Sequence, residues 1–163
     1  MSQRQRDNAK VYATAAGVVA GVALYKKVNA TCGQCGCKIT GKRYKIHAYN
    51  EVDKAAAELA DVNPHATYCE DCYTELLNEF KSYKYRGSYK GVRTFSVNYR
   101  GNTHTDDEDG VSYTTDGYSD RYEAERVIRQ VAAVYGCDAV TKLEFDRDSS
   151  GEWRASGIIC DFK

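Results

Sequence analysis

At 163 residues, with 42% hydrophobic content and a single proline, the chain has apolar material for one ordinary domain or two small ones, which excludes an intrinsically disordered protein. Its 23 basic and 23 acidic residues cancel to a formal net charge of zero, which removes the simplest electrostatic case for nucleic acid or an acidic membrane as a general partner. Fourteen tyrosines against four phenylalanines and one tryptophan suit half-buried strands, where one end of the ring is dry and the other wet.

The opening MSQRQRDNAK is polar, and Val11 to Tyr25 that follows carries no charge and is bounded by Lys10 and by Lys26 and Lys27. As a helix this run is about 22 Å long against a hydrocarbon core of about 30 Å, so a short membrane anchor needs its flanking lysines to snorkel. Gly17 and Gly21 form a G-x-x-x-G among alanines, the spacing that lets two helices approach closely, so a buried or self-associating helix is the second reading. Val28 to Ala30 supplies the small residues of a signal-peptide cleavage site, although Lys26 and Lys27 lie between it and the apolar run. If the run spans a membrane, the basic residues Lys26, Lys27, Lys38, Lys42, Arg43 and Lys45 behind it outweigh Arg4, Arg6 and Lys10 ahead of it. That bias puts the C-terminal bulk in the cytoplasm, anchored at the inner membrane of a bacterium.

Next come two cysteine pairs, Cys32-x-x-Cys35 in CGQCGCKIT and Cys69-x-x-Cys72 in YCEDCYTELLNEF. Two such pairs can bind one Zn2+ as four thiolates, because the two-residue spacing lets both sulfurs of a pair reach a tetrahedral ion. Gly33 and Gly36 permit a tight knuckle around the first pair. Lys38 to Ile46 reads as two short strands about a Thr40-Gly41-Lys42 turn. The second pair opens a helix with Tyr73, Leu76, Leu77 and Phe80 on one face. Cys37 is the alternative ligand, and His47 and His65 are further candidates, though a lone histidine is more often a surface or packing residue. Disulfides would leave one of the seven cysteines over, and a redox C-x-x-C normally stands alone. A reduced, cytoplasmic setting follows from the zinc reading.

A knuckle, a hairpin and a helix carrying the second pair resemble the treble-clef zinc domains, a relative of zinc-ribbon modules. The resemblance covers about 31–80 and implies one structural Zn2+ held by Cys32, Cys35, Cys69 and Cys72. Between the pairs, NEVDKAAAELADVNPHA is an insertion whose alanine-rich start reads as a short helix stopped before Pro64.

The connector KSYKYRGSYKG, 81–91, interleaves Lys81, Lys84 and Arg86 with Tyr83, Tyr85 and Tyr89, a pattern that suits single-stranded nucleic acid and equally a solvated linker. From about 92 to the end the order is β-β-α-β-β. TFSVNYR and VSYTT alternate as a hairpin around the acidic loop GNTHTDDEDG, whose Asp106, Asp107, Glu108 and Asp109 lack the spacing of an EF-hand and read as solvated. Asp120 caps a helix that ends at Gly136, with Tyr122, Val127, Ile128, Val131, Ala132 and Tyr135 as its apolar stripe. DAVTKLEF and WRASGIICDF follow as strands, with Cys137 and Cys160 as small buried residues. The fold class is therefore α+β: an N-terminal apolar helix, a small treble-clef module, and an antiparallel sheet covered by one helix.

The stretch AAVYGCDAVTKLEFDRDSSGEWRASGIICDF, with its helix ending in Gly-Cys-Asp-Ala-Val and its Ser156-Gly157 pair, resembles the YbjQ-like bacterial family labelled heavy-metal-binding. That resemblance covers about 119–162 and implies ring-like homo-oligomers; the metal label does not carry over, because only Cys137 and Cys160 stand near these strands. No phosphate loop, H-E-x-x-H or G-x-S-x-G occurs, and a four-cysteine site leaves no open coordination position. The expectation is a non-catalytic, zinc-stabilised binding or assembly protein that self-associates. The alternative is a nucleic-acid-binding zinc protein using the connector.

Overall fold

The computed structural model describes residues 30–162. Val11 to Tyr25, with Gly17 and Gly21, lies outside the described residues, as do the membrane-anchor and helix-packing expectations placed there. Among the described residues no helix is long and apolar enough to cross a membrane. By compactness the described chain divides into two units, 30–45 with 65–74, and 46–64 with 75–162.

In the first unit the expected hairpin over Lys38 to Ile46 does not form. Thr31 bridges Lys38 and Tyr44 bridges Tyr68 instead. The reason lies in the backbone hydrogen bonds. Ile39 N–H donates to the Ala30 carbonyl at 2.8 Å, and Tyr44 and Tyr68 exchange bonds of 3.2 and 2.9 Å. Each arm of the would-be hairpin is thus paired with a segment flanking a cysteine pair, not with its neighbour. Tyr68 is 1% exposed, and Tyr44 stacks on Tyr73 with ring centroids 4.7 Å apart.

The second unit is a mixed α+β layer. Helix α1 is Glu51–Leu59; α2, Glu70–Lys84, contributes its C-terminal part; a 3-10 turn, Tyr89–Gly91, leads to strands β1, Arg93–Ser96, and β2, Val111–Thr114. Then come α3, Arg121–Tyr135, β3, Ala139–Arg147, and β4, Trp153–Cys160. The sheet order is β1-β3-β4-β2. The expected β1–β2 hairpin and fully antiparallel sheet are therefore corrected: β1 and β2 occupy opposite edges, and β1 runs parallel to β3. The 97–110 connection is far longer than a hairpin loop, so nothing holds β1 and β2 in register. The tight Asp148–Glu152 turn does hold β3 and β4, its Asp148 carboxylate accepting from Ser150 N–H at 2.9 Å and Glu152 N–H at 3.1 Å.

Helix α3 starts and stops where expected. Asp120 accepts from Tyr122 N–H at 2.7 Å, and Gly136 closes the helix at φ 85°. Its inward face is Ala124, Val127, Ile128, Val131 and Ala132, set against Val140, Ala155 and Ile159, all buried. Tyr122, expected in this stripe, is 80% exposed, because Ala124 takes the inward position in that turn and Tyr122 lies about 200° around the helix from it.

The opposite sheet face is partly closed by the acidic loop. Asp107 is turned inward, in contrast to the solvated loop expected: its Oδ1 accepts from Thr105 and Thr141 hydroxyls, each at 2.9 Å. Lys142, at φ 51°, marks a bulge where the β3–β4 register shifts between Thr141 and Glu144, and its ammonium lies 3.6 Å from Asp107 Oδ2. Gly157 faces that bulge. A Cβ there would come within 2.8 Å of Val140 Cγ1 and 2.9 Å of the Thr141 carbonyl.

The insertion forms α1 as expected and belongs to the second unit, against α3. Asn50 caps it by accepting from Asp53 N–H at 2.9 Å. Glu51, only 4% exposed, accepts from the Tyr113 hydroxyl at 2.7 Å, the Tyr118 hydroxyl at 2.8 Å and the Asp116 N–H at 2.8 Å. One carboxylate thereby ties α1 to β2 and to the loop that follows.

Candidate metal centre

The knuckle is built by backbone pairing before any sulfur is considered. Cys32 N–H donates to the Cys37 carbonyl at 2.8 Å, and Gly36 N–H returns to the Cys32 carbonyl at 2.9 Å. Gly36 sits at φ 70°, a backbone state that costs glycine nothing. Gly33 N–H donates to the Thr67 carbonyl at 2.9 Å, and a Cβ at Gly33 would come within 2.6 Å of Ala66 Cβ. The two cysteine-bearing segments therefore lie against each other, and only glycine allows the approach. Cys69 directly precedes α2 and its carbonyl accepts from Tyr73 N–H at 2.9 Å, while Cys72 falls in the first turn.

The sulfurs of Cys32, Cys35, Cys37 and Cys69 all lie within 4.8 Å of one another, with Cys35 and Cys69 at 3.9 Å. Sulfurs bound at about 2.3 Å to a tetrahedral ion stand about 3.8 Å apart, so the cluster can hold a metal ion after small rotamer adjustments. Cys72 adjoins the same group, its thiol interacting with those of Cys69, Cys35 and Cys32. Of the four expected ligands, Cys32, Cys35 and Cys69 lie in this cluster; its fourth member is Cys37, the alternative, and Cys72 touches the cluster from outside it. The cluster of four contains no histidine; His47 instead stacks on Tyr49 with centroids 5.3 Å apart.

The thiols divide into two that are lowered, Cys32 and Cys35, and two that are raised, Cys37 and Cys72. Burial works to raise the Cys32 thiol, yet backbone N–H groups of Cys35, Cys69 and Gln34 directed at its sulfur bring it down to about 6. Hydrogen bonds from the Cys37 backbone and thiol lower Cys35. Cys37 itself, the donor to Cys35, is pushed up to about 12 by that bond, by burial and by Cys69. Donation to Cys69 and Cys35 likewise raises Cys72. A divalent ion would displace the protons of whichever thiols it bound.

The connector residues are arranged differently from a free basic strand. Lys81 and Lys84 belong to the last turn of α2, and Lys84 is paired at 2.6 Å with the buried Asp53. Arg86 lies over the Tyr83 ring at 6.0 Å, Tyr89 opens the 3-10 turn, and Tyr85 is 72% exposed. Sequence reasoning had no signal for the Lys84–Asp53 pair, whose partners come from different helices. Cys160 is buried and its thiol lies 3.7 Å from Asp107; burial raises both it and Cys137. All seven cysteines are free thiols.

Compared with family models, curated proteins and solved structures, the chain matches none. The YbjQ-like resemblance of 119–162 accordingly has no matching family model beside it.

Proposed function

We propose that the protein is a non-catalytic binding or assembly protein whose first unit is held together by one structural Zn2+. The observation that carries this reading is the convergence of four sulfurs within 4.8 Å on a glycine-built knuckle. Thiolates select soft or borderline ions over calcium and magnesium, and a tetrahedral all-sulfur set suits zinc. Four protein ligands leave no position for water or substrate, so the ion's role is stapling. Free thiols persist best in a reducing compartment, which supports a cytoplasmic setting for the cysteine unit. Self-association through the second unit belongs to this reading on the strength of the resemblance of 119–162 to a family of ring-like homo-oligomers.

X-ray absorption at the zinc edge of protein purified under reducing conditions tests the ion. The expected spectrum has four sulfur scatterers at about 2.3 Å; oxygen or nitrogen neighbours, or an absent edge, would overturn the structural-zinc reading. Light scattering of the same sample tests assembly, with a defined oligomer expected and a monomer at all concentrations counting against it.

A further inference from the structure

A tetrahedral ion takes four sulfurs; Cys32, Cys35, Cys37 and Cys69 lie within 4.8 Å of one another, and a fifth, Cys72, interacts with three of them from beside that group. Cys35 and Cys69 form its shared edge at 3.9 Å. Cys37 reaches both of them; Cys72 reaches both and Cys32 as well. Cys37 is exposed and Cys72 is half-buried, so neither is locked away from movement. Their backbones differ too. Cys72 is carried by the first turn of a helix, whereas Cys37 ends a loop closed by the Cys32–Cys37 hydrogen bond.

We infer that the centre has two interchangeable ligand sets, Cys32, Cys35 and Cys69 completed by either Cys37 or Cys72, so that one thiol always waits as the entering ligand. This rests on the metal reading above. In an exchange the Cys37 thiol releases its proton and forms a metal–sulfur bond as the bond to Cys72 breaks, and the freed thiolate takes up a proton. Before and after the exchange the ion would have four sulfurs and the site the same charge, with no oxidant or reductant involved. A built-in entering thiol gives an associative path for exchange that a closed four-cysteine site lacks. The centre is thereby suited to trading its ion with another thiol-rich donor or acceptor of soft metals.

The test is limited alkylation of the zinc-loaded full-length chain with N-ethylmaleimide, followed by peptide mapping. The expected result is one label shared between Cys37 and Cys72, with Cys32, Cys35 and Cys69 unmodified and zinc retained. Cys37→Ser and Cys72→Ser should each keep one zinc, and the double variant should lose it. A label confined to one of the two cysteines, with zinc lost only in the variant of the other, would mean a fixed set: the exchange fails and the zinc centre stands. Labelling of all five in a metal-free chain would overturn the metal reading and the exchange with it. Mapping on the unmutated chain keeps the test independent of how the variants fold.

Discussion

Glu51 shows how much one side chain can decide. It opens α1, where the helix dipole favours a negative charge, and it accepts from two tyrosine hydroxyls and a backbone N–H. Glu51→Ala would leave the half-buried tyrosine hydroxyls without their acceptor, and the second unit should lose about 2 kcal/mol in urea unfolding; Glu51→Gln, which keeps an acceptor, should lose clearly less. This role was illegible in the sequence because Tyr113 and Tyr118 are 62 and 67 residues away. Gly157→Ala should destabilise by about 1–3 kcal/mol, since the new Cβ meets backbone at the bulge as well as the Val140 side chain. Asp107 adds a pH dependence. Burial opposes its ionisation, but the Thr105 and Thr141 hydroxyls, the Lys142 ammonium and Cys160 hold its carboxyl below the ordinary 3.8. A depressed carboxyl contributes stability above its unfolded pKa and loses it as pH falls through the folded one. Acid unfolding of the wild type should therefore steepen below about pH 4, and Asp107→Asn should flatten that limb in a pH series of thermal melts.

Elements were legible where their signals are local. The 3.6-residue period of Val127, Ile128, Val131 and Ala132, with Asp120 and Gly136 at the ends, places α3 without reference to anything distant. Asp120→Ala should cost about 1 kcal/mol, read as a lowered urea midpoint at unchanged slope. Strands are another matter. Alternation in RTFS and VSYT says which side chains share a face but not which neighbour supplies the hydrogen bonds, so the edge positions of β1 and β2 and the parallel β1–β3 pairing could not be read from it. The knuckle arms failed in the same way: Tyr44 bridges Tyr68, across the whole insertion. What remained legible was the cysteine spacing, because a chelate of two thiols depends on a fixed short stretch of chain.

At the scale of the whole molecule, the described residues of the first unit have little besides Cys32, Ile39 and Tyr68 buried, a core that a bound metal would supplement. Binding free energy of a metal is then folding free energy for that unit. The second unit has its own core of α3 against β3 and β4. Chelation should therefore abolish hydrogen-exchange protection at the amides of Cys32, Gly33, Gly36 and Ile39, which are bonded within the knuckle, while the β3–β4 amides stay protected. Loss of protection in both units together would show that the metal supports the entire chain. The central claim, a single ion held by this cysteine cluster, is tested most directly by native mass spectrometry of the full-length chain kept reduced. The account predicts one zinc per chain, lost on Cys69→Ser substitution; a metal-free chain whose mass reports oxidised cysteine pairs would contradict it.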